Sequence, residues 1–155
     1  MRLEECVEIR APREVVWDAI ADAENHPLFM AGLTRWDVKS GPEMSKGSRI
    51  DMRMAVGSAQ VGSLIEVVEF DVPADMAWTS VTGIDQRGRW RLRERGDNCT
   101  KVTLRLAYQA PGGLAGWVTD RVAAGRVRRN LRRSLQALKE QVESGVEHAR
   151  GRSAR

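Results

Sequence analysis

The chain has 155 residues, 42% apolar and 30% charged, with 25 Lys and Arg against 21 Asp and Glu. That length suits one domain able to bury a core and still enclose a pocket. No run of 18 apolar residues occurs, which excludes a helical membrane span, and Met1–Cys6 lacks the apolar stretch of a secretory signal, so a cytoplasmic protein is expected.

Residues 2–10 read as a strand ending at the Ala11-Pro12 turn. An amphipathic helix follows, with Val15, Val16, Ala19 and Ile20 at 3,4 spacing and Pro12 at a tolerated first-turn position. A second turn at His26-Pro27 closes a short helical pair over 13–31. Gly41-Pro42, Ser45-Lys46-Gly47, Gly57-Ser58, Pro73-Ala74-Asp75, Gly83 and Gly96-Asp97-Asn98 then punctuate candidate strands at 34–40, 47–56, 60–70, 76–83, 86–95 and 100–109. Together with the first, these make seven strands joined by short turns, the spacing of an antiparallel meander.

Alternation assigns faces on three of them. Ile50, Met52, Met54 and Val56 share one side, Trp90 and Leu92 oppose a row of arginines, and Val102, Leu104, Leu106 and Tyr108 form a third inward set. Strands 60–70 and 76–83 stay open: either Trp78 with Ser80 or Thr79 with Val81 faces inward. After Pro111 the period turns helical to about Gly145. Ala124, Val127, Leu131, Leu135, Leu138 and Val142 form one stripe, and Leu114, Val118 and Val122 form another, with Gly125 a candidate break. Residues 1–145 are therefore expected to form the domain and 146–155 a basic, disordered tail.

The opening segment Val7–Phe29, Glu66-Val-Val-Glu-Phe-Asp71 before a Pro-containing turn, Gly88-Arg-Trp-Arg-Leu92 and Pro111-Gly-Gly-Leu114 before an Arg-rich helix together resemble the START/Bet v1-like (SRPBCC) superfamily, which includes polyketide cyclase/dehydrase and lipid-transport proteins. The resemblance implies an α+β helix-grip fold, a seven-stranded curved antiparallel sheet around a long C-terminal helix with two short helices, enclosing an apolar cavity. Periodicity alone leaves an ordinary filled two-layer core as an equal reading.

The implied function is binding or transport of a small hydrophobic molecule such as a lipid, isoprenoid or aromatic polyketide. A cyclase or dehydratase using the same pocket is the alternative. Trp36, Met52, Met54, Trp90, Leu104, Leu106 and Tyr108 are expected to line the cavity, Leu131 and Leu135 to close it, and Phe29 to stand near a mouth beside 28–34 or 111–118. Tyr108 is the one inward titratable group on the three assigned strands and the one weak catalytic candidate. The resemblance implies that cyclising members use an inward arginine, which these three strands lack. His26 and His148 adjoin no Ser, Cys or carboxylate cluster, so no triad, metal site or cofactor is expected, and His26 reads as a surface or helix-capping residue. Cys6 and Cys99 are expected to be free thiols.

The positive charge has a location. Ten Lys and Arg stand against three acidic residues from Arg121 onward, and fifteen against eighteen before it. That argues against a nucleic-acid surface across the body, and the outward arginines 87–93 and 105 are expected to pair with Glu4 and Glu8 on a neighbouring strand. Arg126, Arg129 and Arg133, with Arg128 and Arg132, read as a solvated helix face or as a transient contact with an anionic membrane beside Val118 and Val122.

Overall fold

The computed structural model describes residues 1–41, 43–109 and 114–154, with side chains outside 114–121. The Leu114–Val118 stripe and the 111–118 candidate for the pocket mouth therefore lie outside the described side chains. Seven strands form one antiparallel sheet: β1 (Arg2–Ile9), β2 (Leu33–Val38), β3 (Arg49–Val56), β4 (Ala59–Asp71), β5 (Asp75–Gly83), β6 (Gln86–Glu94) and β7 (Thr100–Tyr108). Their order is β1-β7-β6-β5-β4-β3-β2, so each consecutive pair after β1 is a hairpin and β1 closes onto β7. Two short helices, α1 (Arg13–Ala21) and α2 (His26–Phe29), bridge β1 to β2, and the long α3 (Leu114–Ser153) packs chiefly along β1. The sheet curls into a half-barrel around this helix.

Alternation held on the three strands where it was clean. Ile50, Met52, Trp90, Leu92, Val102 and Leu104 are all buried, and Leu131, Leu135, Leu138 and Val142 of α3 meet them in one core. It failed on β4 and β5 for a definable reason. The β4–β5 ladder slips between Leu64 and Ile65 and again between Val67 and Glu69. Each slip leaves one extra residue, Val81 on β5 and Val68 on β4, and these are 43% and 41% exposed. A bulge reverses the face of everything beyond it, so no single parity describes such a strand. Met76 and Trp78 turn inward on β5, with Ser63, Ile65 and Val67 inward on β4.

Helix α3 runs unbroken past Gly125 and beyond the expected end at Gly145, through Ser153. Several contacts tie it to the sheet and its connections, among them a 2.9 Å bond from Lys139 Nζ to the Glu8 carbonyl of β1. Glu5, on the helix-facing side of β1, pairs with Arg128 and Arg132, each at 3.1 Å. At the turn that enters β2, beside the end of β3, Gly32 has φ +82 and a Cβ there would lie 2.6 Å from Asn130 Nδ2, so only glycine admits the helix this closely. Ser134, 1% exposed, accepts from the Ala31 amide at 2.8 Å and donates to the Asn130 carbonyl at 2.7 Å.

On the outer face Arg89, Arg91, Arg93 and Arg105 are paired, but largely not with β1. Arg105 meets Glu4 at 2.5 Å as expected from their register. Arg91 and Arg93 instead converge on Asp75 at 3.1 Å each, and Arg89 bridges Asp75 at 3.5 Å and Glu69 at 2.6 Å. Burial works against the charge of Asp75, yet hydrogen bonds from Arg91 and Arg93 hold its carboxyl below the usual range. Cys6 and Cys99 are free.

Candidate ligand-binding site

The concave face of the sheet and α2 enclose a void of about 40 Å³. Strands β2 to β6 contribute Trp36, Met52, Met76, Trp78 and Trp90 to its wall, the helical connection contributes His26 and Met30, and the β2–β3 loop contributes Met44. Three of the expected lining residues, Trp36, Met52 and Trp90, are therefore at the void. Leu104, Leu131 and Leu135 lie in the core around it, and Met54, Leu106 and Tyr108 pack on that core half-buried. Phe29 is not at a mouth: it is 3% exposed, its ring 5.0 Å from His26 and 6.1 Å from Trp90.

Sequence reasoning missed His26 and left Trp78 undecided. His26 is 3% exposed, not a surface cap. It opens a four-residue helix and keeps α backbone geometry (φ −54, ψ −45) although Pro27 follows, a combination that local sterics disfavour. Packing compensates. The imidazole stacks on Trp36 at 4.7 Å and meets Trp90 edge-on at 6.5 Å, and Trp36 is itself anchored by a 2.9 Å bond from its indole N–H to the Ala23 carbonyl. Burial among rings drives the His26 pKa down to about 3. The imidazole is therefore neutral at ordinary pH, and a base this weak offers little driving force for taking a proton from a substrate.

Trp78 reaches the void because β6 carries a glycine opposite it. Trp78 and Gly88 are paired in register, and a Cβ on Gly88 would lie 2.0 Å from the indole. Two polar atoms of this wall, His26 Nδ1 and Trp78 Nε1, are buried with no hydrogen-bond partner among the described residues. A second polar group lies further along the inward face. Gln86 donates to the Ser63 hydroxyl at 3.0 Å, Ser63 donates to the Ile84 carbonyl at 3.0 Å, and the Ser80 hydroxyl accepts from the Gln86 amide at 3.0 Å. Tyr108 stands opposite Gln86 in the β6–β7 register.

With β4 and β5 resolved, the inward faces of β3 to β7 carry no arginine among the described residues. No cluster of three His, Cys, Asp or Glu side chains able to hold a metal occurs among them either. The larger concavities lie elsewhere and are open to solvent. One of about 950 Å³ runs between α1 and the last turns of α3, past Val15, Ala19, Val146 and Ala149, and another of about 590 Å³ crosses the outer face at Arg53, Gly62 and Thr82. Neither adjoins the aromatic chamber. No helix among the described residues is long and apolar enough to cross a membrane.

A half-barrel sheet gripping one long helix, with two short helices and an aromatic and thioether-lined chamber beneath the second, defines a START/Bet v1-like domain. The chain belongs to the polyketide cyclase/dehydrase and lipid transport family, whose model matches residues 1–143. Among solved structures it is similar to a protein from Thermus thermophilus (20% identity, 94% of this chain and 99% of the other covered, TM-score 0.82). It is also similar to the Zhui aromatase/cyclase from Streptomyces sp. R1128 (19%, 94% and 95%, TM-score 0.78). A START superfamily protein from Mycobacterium smegmatis aligns as well (16%, 91% and 98%, TM-score 0.71). No curated protein matches the sequence. Family membership supports a ligand-binding or a cyclase role without choosing between them.

Proposed function

We propose that this domain binds a small hydrophobic molecule, of lipid, isoprenoid or aromatic polyketide type, in the chamber beneath α2. The observation that carries this reading is the chemistry of the wall. Met30, Met44, Met52 and Met76 are unbranched side chains that repack at low cost, set among Trp36, Trp78 and Trp90, which offer broad apolar contact. A void of about 40 Å³ is far below the roughly 300 Å³ of a typical ligand pocket, so entry requires the methionines to swing aside. A ligand of about 20 heavy atoms gains roughly 6 kcal/mol, a dissociation constant in the tens of micromolar before any cost of opening.

The lack of an inward arginine among the described residues of β3 to β7 and the weak basicity of His26 favour binding over cyclisation. Of the α3 arginines, Arg128 and Arg132 are taken by Glu5, whereas Arg129 and Arg133 make no ion pair among the described residues, and Val122 nearby is 59% exposed. This face supports a transient contact with an anionic membrane during ligand exchange. Native mass spectrometry of protein purified from its own host, with extraction of co-purifying molecules, tests the reading: a stoichiometric apolar adduct is expected. A clean protein mass together with no thermal shift across a lipid and polyketide panel refutes it. Tyr108→Phe separates the two roles, since a binder keeps its ligand whereas an enzyme that uses the hydroxyl loses turnover by about 10²-fold.

A further inference from the structure

We propose that the chamber recognises its ligand through a single hydroxyl group, held between the indole N–H of Trp78 and Nδ1 of His26. This rests on the reading that the chamber binds a hydrophobic molecule and specifies the polar group that molecule carries. Buried polar atoms without partners are uncommon in folded proteins, and two on the wall of one small void are an unmet demand at a single place. The void is small enough that an atom placed in it is near both side chains.

The demand has a definite chemistry. Trp78 Nε1–H only donates, so the ligand atom must accept. The imidazole is neutral, and its Nδ1 either accepts or donates according to tautomer. A hydroxyl satisfies both possibilities, because it carries a proton and lone pairs on one oxygen. A carbonyl serves His26 only when the proton is on Nδ1, and an ammonium cannot serve Trp78. A carboxylate accepts well, but the described wall holds Met, Ile, Val and Trp with no Lys or Arg, so its charge would be buried uncompensated. The remaining contacts of the wall are apolar and leave the rest of the ligand unspecified. Specificity of this kind is steep, because an analogue lacking the oxygen leaves both nitrogens buried and unpaired.

Toluene and phenol, nearly equal in size, form the test, with benzoate as the charged control. Dissociation constants are measured by NMR titration on the whole chain, and the indole N–H resonance that vanishes in Trp78→Phe identifies Trp78. Phenol is expected to bind at least about tenfold more tightly than toluene despite being the less hydrophobic of the two, with the Trp78 resonance moving for phenol alone. Benzoate is expected not to bind. In Trp78→Phe and His26→Phe, which keep a ring in place, the preference should vanish or invert. Should either variant fail to fold, the wild-type ratio and the Trp78 resonance still decide. Toluene binding as well as or better than phenol overturns the hydroxyl assignment, and a bound water then accounts for the two nitrogens, while the pocket itself stands. If neither probe titrates at millimolar concentration, the assignment and the binding reading fall together.

Discussion

Acidification should destabilise this fold through His26 before the paired carboxylates Asp37, Glu69, Asp75 and Glu143 lose their contributions. In the unfolded chain the imidazole takes a proton near its ordinary pKa of 6.5, whereas in the fold it resists until about 3. Between those values the unfolded state binds the extra proton, so stability is fully present above pH 6.5 and falls as pH drops toward 3. Integrating the linkage from about pH 7.5 to about pH 5 gives a loss of about 2 kcal/mol, or roughly 4–8 °C in Tm for a domain of this size. The window isolates the histidine. Glu69, Asp75, Asp37 and Glu143 are all held below their ordinary values of 3.8 to 4.5 by basic partners, so their contributions are lost only as pH falls through and below those values. His26→Phe keeps an aromatic ring against Trp36 and removes the titrating group. Thermal melts of both proteins at half-unit steps across that window should show a slope in the wild type that is nearly flat in the variant. Parallel curves would refute the argument, because they would mean that water or a hydrogen-bond acceptor stabilises the imidazolium in the native state.

Other substitutions probe the elements that shape the chamber. Gly88→Ala drives a methyl group into the Trp78 indole and should cost about 1–3 kcal/mol in urea unfolding, with a change in tryptophan emission as that ring is displaced. Asp75→Asn leaves Arg89, Arg91 and Arg93 sharing one carboxylate fewer while 29–44% exposed; the loss should be about 1–3 kcal/mol, smaller at high salt, by the same unfolding assay. Arg129→Glu with Arg133→Glu should abolish co-sedimentation with phosphatidylserine vesicles at low salt and leave probe binding in the chamber unchanged; retained sedimentation would remove α3 as the contact face.

The frame of this protein was legible because it rests on repetition. Ile50 and Met52 on one side of β3, Trp90 and Leu92 on one side of β6, and the Leu131–Leu135–Leu138–Val142 stripe each repeat a period long enough to assign a face. The chamber was legible only in part because its decisive residues sit where no period applies. His26 opens a helix of four residues, shorter than two turns, so nothing in the pattern distinguished a buried ring from a cap. Trp78 lies between two bulges that each reverse the parity by which its neighbours could be read. One signal was available for it. A glycine directly across from a tryptophan in paired strands makes room for an indole, and Gly88 is the inward residue of β6 two positions before Trp90.

The irregularities that obscured the chamber are also what form it. A regular β4–β5 ladder would continue the sheet with little local change in twist, whereas each bulge adds a residue to one strand and bends it. The bulges at Val68 and Val81 lie on either side of the segment where Val67 pairs with Trp78 and Ile65 with Ser80, so the sheet curls there around α2 and α3. Trp78 and His26 both line the void, and the missing side chain at Gly88 lets the indole lie against β6. Filling either bulge back to a regular ladder, by deleting Val68 or Val81, would shift the residues beyond it to the opposite face. Such a deletion should remove the chamber even if the sheet still formed, which makes these two exposed valines, far from any ligand, determinants of the site.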